Sequence, residues 1–461
     1  MSVFRFPSAA VMAAGAALAL TSCAPGQDAP APASTLDLNR YVAVGDSYTA
    51  GVSNGGLTRN SQQYAYPNLL AQSFQRVSPA ATFTQPLLDA GAGTGYLSLV
   101  SYNGTDLPVL RQVPGAGVRR SYVNTPTCGP TDVVDLLPRS ATAGTLPQNL
   151  GIPGLRLAQI INPGVGNDAN AAPNANFNAY FERLLPAGDN TTYLQAVTAT
   201  ATSATFFTYF QGLDEFLPYL RSGGECPALL PNTANMNLNA KRILDVLTAN
   251  NRRGIIVRLP YLRSLPLLSL GQGLQLERRL QKAKGDTASL YLRSSITGQT
   301  RTITDEDFVL ATAIPRVGTP TLVGTSTVQY GRSPLAPLVG ADVVETQEYL
   351  LANNARLTAY NNNLEALAKN TYRMPAIDAS SSQYSVRLEE DLFSQVSNQI
   401  AVNGVPYTTE PVRGNFFSLD YYSLTPRGNA LLANVIIKAI NQAYRSSIPY
   451  VTVNDLPTTA D

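Results

Sequence analysis

The chain has 461 residues, balances 33 Lys and Arg against 31 Asp and Glu for a formal charge of +2, and contains no histidine. So even a balance, with 14% charged residues, leaves no electrostatic footprint for nucleic acid, and zero His with three Cys excludes imidazole-ligated and four-thiolate metal centres. A hydrophobic content of 44% is ample for a packed core.

In chain order, residues 1–22 read as an export signal, with Arg5 followed by an Ala/Leu-rich run over 9–20 that is too short to span a bilayer. Leu20-Thr21-Ser22-Cys23 then resembles a bacterial lipobox, in which Cys23 is lipidated and becomes the mature N-terminus; the alternative is an ordinary secretory signal with an incidental cysteine. Acyl chains contribute about 0.8 kcal/mol per buried methylene, so a multiply acylated Cys23 would hold the protein on a membrane. Residues 23–38, rich in Ala and Pro, read as an extended tether. The expectation is a lipid-anchored exported protein of the outer membrane, on its periplasmic or cell-surface face, with a single domain over 39–461.

Residues 41–51 read Tyr41-Val-Ala-Val-Gly45-Asp46-Ser47-Tyr48-Thr49-Ala50-Gly51. The uncharged apolar half suits a strand buried on both faces, and Gly45 breaks it. Ser47 then sits at the carboxyl edge of a parallel sheet, where open α/β folds bind ligands, and is the candidate nucleophile. Taken alone, Gly-Asp-Ser is equally a plain turn.

Helical spacing of Tyr66, Leu69, Leu70, Ser73 and Phe74 predicts a helix over 61–77. Further strands are expected at 204–210, 254–259 and 376–378, with helices over 237–250 and 344–369, the latter carrying Leu350, Leu357 and Leu364 in register. That alternation argues for a parallel sheet covered on both faces, a three-layer α/β/α sandwich. Residues 89–148, 163–196 and 268–340 interrupt it and read as insertions; within the last, 289–319 has the pattern of a hairpin turning at Thr297-Gly-Gln-Thr. Cys128 and Cys226 are the only other cysteines, and in an exported protein a bridge between them is favoured over two free thiols.

Four ordered blocks carry a family resemblance. Gly45-Asp46-Ser47, Asn149-Leu150-Gly151, Gly212-Leu213-Asp214-Glu215, and Ser418-Leu419-Asp420-Tyr421-Tyr422-Ser423-Leu424-Thr425-Pro426-Arg427-Gly428 before an apolar closing segment over 427–444 follow one another as in the GDSL/SGNH esterases and lipases. The wording is most similar to the lipobox-bearing branch of Bacteroidetes-type bacteria. The resemblance implies a flavodoxin-like sandwich, with Ser47 as nucleophile, the Ser47 and Gly151 amides as oxyanion-hole donors and Asp420 as the acid that orients a histidine.

Two positions depart from the pattern. Asp214 stands where the family has the oxyanion-hole Asn, and Ser423 where it has the catalytic His. A serine hydroxyl is a weak nucleophile until a base takes its proton, and this chain has no imidazole anywhere. Remaining base candidates are the carboxylates Asp46, Asp214, Glu215 and Asp420, besides Lys and Tyr; without a His, Asp420 reads as a turn or capping carboxylate. Tyr421 and Tyr422 stand just before the vacated position and are candidate ligand contacts. The functional expectation is a ligand-binding protein for an acyl ester, sugar or lipid; the alternatives are an esterase with a replaced base and an accessory subunit of an outer-membrane complex. No nucleotide-binding glycine motif appears, so no cofactor is expected.

Overall fold

Five parallel strands form the central sheet: β1 (Tyr41–Gly45), β2 (Asn149–Gly151), β3 (Phe206–Phe210), β4 (Arg253–Arg258) and β5 (Val386–Arg387), in the spatial order β5-β4-β3-β1-β2. The computed structural model describes residues 36–102, 107–124, 128–129, 131–170, 176–378, 380 and 382–460. The expected signal, Cys23 and the tether up to residue 35 lie outside the described residues. Every residue of β1 and β3 is buried, as a sheet covered on both faces requires.

Phe206 packs on Phe74 of α2 (Tyr66–Val77) and on Tyr444, the last residue of the closing helix Pro426–Tyr444, whereas the Tyr209 hydroxyl bonds the Tyr360 hydroxyl at 3.0 Å. Side chains three apart in a strand face opposite ways, so one helical layer covers each face. Burying a ring of this size contributes about 1.5–3 kcal/mol, and three rings meet at Phe206. Its truncation to Ala would remove both of those ring contacts at once.

The closing helix starts where Thr425 accepts the Gly428 N–H and Pro426 occupies the first turn. The expected helix over 61–77 divides into Arg59–Gln63 and α2, because Pro67 suits a first turn and not an interior. The helix expected over 237–250 runs instead over Thr233–Leu247, started by Asn232, whose side chain accepts the Asn235 N–H. Helical structure over 346–371 includes two π-helical stretches, Leu351–Leu357 and Leu367–Thr371.

The strand expected at 376–378 is absent. Asp378 bridges back to Gln383, and the fifth strand is the two-residue β5, where fully buried Val386 pairs with Val257. The insertion over 89–148 contains two antiparallel hairpins, Gly95–Tyr102 with Pro108–Pro114 and Arg120–Asn124 with Asp132–Leu136. Tyr291–Arg293 and Thr300–Thr302 form the hairpin expected within 289–319. Cys128 is bonded to Cys226 with the α-carbons 5.6 Å apart, tying the first insertion to the chain just beyond α3 (Leu213–Arg221).

Numbered along the chain, the sheet order is 2-1-3-4-5, which reverses direction between β1 and β3. Loops leaving the carboxyl ends of those two strands diverge, and a crevice at such a switch point is where open α/β sheets bind ligands. Asp46 and Ser47 follow β1; Gly212 and Asp214 follow β3.

Candidate functional site

Ser47 begins α1 (Ser47–Ala50), one turn of helix set directly on the end of β1. The turn is tight: a Cβ on Gly45 would collide with the Thr49 side chain and the Phe210 carbonyl, so only glycine fits. The chain leaves through Gly51 at φ 90°, the left-handed ending that glycine adopts without strain.

Asp46 does not cap its own helix. Its Oδ2 reaches across to β3 and accepts the N–H groups of Gly212 (2.9 Å) and Asp214 (3.2 Å), which open α3 and have no partner within it. Asp46 is thereby a cap supplied from the neighbouring strand. In return Asp214 Oδ2 accepts three bonds, from Ser47 Oγ (2.6 Å), Ser47 N–H (3.2 Å) and Gly154 N–H (2.7 Å).

The two carboxylates are buried side by side, and the Oδ1 of each is without a partner among the described residues. Burial pushes the Asp46 pKa well up, and the charge of Asp214 pushes it further. Burial also raises Asp214, opposed by its bonds from Ser47 and Gly154. Glu215 plays a different part, accepting the Leu157 N–H, and burial lifts it to about 7. It holds the loop after β2 and does not reach Ser47.

Gly151 is placed differently from expectation. Its N–H is held by Asn149 Oδ1 at 2.9 Å, and the amide that reaches the Ser47 cluster is that of Gly154. The sequence signal for Gly154 is Pro153-Gly154, a turn dipeptide, and φ 70° marks a position that glycine fills.

Asp420 organises a separate knot. Its Oδ1 accepts Tyr422 N–H (3.1 Å), Ser423 N–H (2.8 Å) and Ser418 Oγ (3.0 Å), and its Oδ2 accepts Gly55 N–H (2.8 Å) and Ser423 Oγ (2.5 Å). Ser423 is wholly buried in this knot, where a base would need access to Ser47. None of these bonds includes Ser47. Of the turn and capping roles expected of an Asp420 without histidine, its geometry fits the turn, since Thr425 caps the closing helix.

The group of this loop that lies toward Ser47 is the Tyr422 phenol. Burial keeps that phenol protonated far above neutrality, so it can donate a proton but not take one. Tyr48 donates its hydroxyl to the Tyr422 carbonyl, and the Arg221 guanidinium lies 5.3 Å above the Tyr422 ring. Tyr421 adopts φ 67°, a left-handed conformation strained for an aromatic residue, and its carbonyl accepts Leu267 N–H at 2.9 Å.

Ser47 is 4% exposed and Asp214 5%, so the cluster is closed to solvent. Among the described residues no group of three or more Cys, Asp and Glu side chains is arranged to hold a metal ion, and no helix is long and apolar enough to cross a membrane. No protein-family model, curated protein or solved structure matches the chain.

Proposed function

We propose that the chain is an exported, lipid-anchored protein on a GDSL/SGNH-like scaffold that no longer hydrolyses esters and instead binds a ligand bearing acyl, sugar or lipid groups. One observation carries this reading: the donors that would stabilise an oxyanion, the Ser47 and Gly154 amides, both already serve the internal carboxylate oxygen of Asp214. A substrate carbonyl would have to displace that oxygen and would meet its charge. No imidazole exists to activate Ser47, and the nearby Tyr422 phenol, kept protonated by burial, cannot take its proton. The 2-1-3-4-5 strand order, which flavodoxin-like sheets use, supports the scaffold assignment.

Ligand binding is supported by a cavity of about 920 Å³ beyond the carboxyl ends of β4 and β5. Phe308 and Tyr349 meet there with ring centres 4.8 Å apart, beside Tyr261, Gln272, Asn354 and Glu389. Aromatic faces flanked by amides and a carboxylate suit the alternating apolar and hydroxyl surfaces of a sugar. Two π-helical stretches, Leu351–Leu357 and Glu389–Phe393, contribute to its wall, and such irregularities concentrate at functional sites.

A second reading has its own observation. Ser47 Oγ donates to Asp214 Oδ2 at 2.6 Å, the geometry of a nucleophile and its base, and burial raises the pKa of that carboxyl toward a useful range. It predicts an esterase with Asp214 as base. Hydrolysis of a short-chain activated ester separates the two: equal, near-background rates for the protein and its Ser47→Ala variant are expected, and a rate that falls with Ser47 would establish the esterase instead.

A further inference from the structure

The amino edge of the sheet, opposite Ser47, holds a cavity of about 680 Å³ whose lining includes Arg252, Arg253, Arg373 and Arg445 with Tyr372 and Tyr444, and no Asp or Glu. Guanidinium groups around one cavity repel one another unless something negative lies among them. Part of the answer is internal, since α4 (Thr233–Leu247) and the closing helix end here and cations favour helix C-termini. Arg252 fills that role completely: Nε donates to Ala204 O at 2.7 Å, and Nη1 to Val246 O at 3.1 Å and Leu247 O at 2.7 Å.

Arg373 and Arg445 are different. Both are exposed, and neither guanidinium makes a hydrogen bond or ion pair with any described residue. Both also sit at positive φ, 48° and 50°, just past helix ends where glycine is the usual occupant. Left-handed backbone costs about 1–2 kcal/mol at a residue with a side chain, so the fold sets two unpaired cations at strained positions facing one cavity. Asp245, beside Tyr372, lies outside the lining and already accepts Lys241 Nζ at 2.8 Å and the Tyr372 hydroxyl at 2.9 Å.

We propose that this cavity is a binding site for a phosphate-bearing anion. Arginine forks match phosphate oxygens in pairs, Tyr372 and Tyr444 line the wall with their hydroxyls committed to Asp245 and the Gly254 carbonyl, and the volume admits a small solute or a lipid headgroup. β1 also begins at this edge, so residues 36–40 enter the body on this side. A headgroup of the membrane that holds a lipidated Cys23 is therefore one source of the phosphate, and a soluble phosphoester is the other. Neither depends on the reading of Ser47.

Calorimetric titration of the full chain in neutral detergent with inorganic pyrophosphate tests the soluble source. Partition between phosphatidylcholine vesicles with and without phosphatidylglycerol tests the headgroup, since a lipid anchor contributes equally to both. The variant is Arg373→Gln with Arg445→Gln, and Arg253→Gln serves as a second, independent one. Saturable pyrophosphate binding weakened at least about tenfold by the double variant assigns a free phosphoester. Preference for anionic vesicles that the double variant abolishes, without pyrophosphate binding, assigns the headgroup. The proposal is overturned if neither probe binds, or if binding is indifferent to all three arginines.

Discussion

The two edges of the central sheet treat charge in opposite ways. At the carboxyl edge, the buried Asp46 and Asp214 and the half-buried Asp420 are turned onto backbone amides and hydroxyls of their own chain. At the amino edge, Arg373 and Arg445 stand exposed beside an open cavity without a partner among the described residues. The first arrangement fastens loops together; the second leaves cations for something outside the fold. A resemblance read from motifs directs attention to the closed edge, whereas the unsatisfied chemistry lies at the open one.

The largest expected effect concerns the bridge that ties the first insertion to the chain beyond α3. Cys128 and Cys226 are 98 residues apart, and replacing both with Ala should destabilise the protein by about 4 kcal/mol in denaturant unfolding, since a loop of that length loses most from an unfolded chain when closed. Next comes pH. Glu215 is lifted by burial to about 7, so the folded chain keeps a proton that the unfolded chain releases near 4.5. The resulting stability is complete below about 4.5 and is lost as pH rises through about 7, by about 3 kcal/mol. Asp46 and Asp214 are shifted in the same direction and add to that slope. Glu215→Gln should flatten the stability profile; an unchanged profile would remove Glu215 from the account.

Asp420→Ala should cost about 2 kcal/mol, because it strands N–H groups of Gly55, Tyr422 and Ser423 that no longer have an acceptor. Background ester hydrolysis should not change with it. At the small end, Arg373→Gln or Arg445→Gln should shift stability by no more than about 0.5 kcal/mol, as expected for exposed side chains that bond nothing within the fold. A large loss there would make these arginines structural and erase the contrast between the edges.

Much of the sheet is legible in the residues because β1, β3 and the centre of β4 are short, uncharged, mostly apolar runs, and the closing helix announces itself with Thr425-Pro426. β5 is not, because two residues carry no periodicity; its place is set by pairing with Val257 and Arg258. The hairpins over 95–136 expose much of their surface, so they lack the alternation that marks a half-buried strand. At the site, strand and turn positions bring Asp46, Ser47 and Asp214 together as their order in the chain suggests. Which amide each carboxylate takes depends on contacts across 58 to 168 residues, as with Glu215 on Leu157 and Asp46 on Asp214, and no local pattern encodes Gly154 in place of Gly151.

The most direct test of the account asks whether Ser47 can act as a nucleophile at all. Incubation with a fluorophosphonate, which phosphonylates activated serines that have an oxyanion site, followed by mass spectrometry of the peptide around Ser47, reads this in one experiment. The Asp214 carboxylate in the oxyanion position predicts an unmodified Ser47. Stoichiometric labelling that Ser47→Ala abolishes would contradict it and make Asp214 a working base.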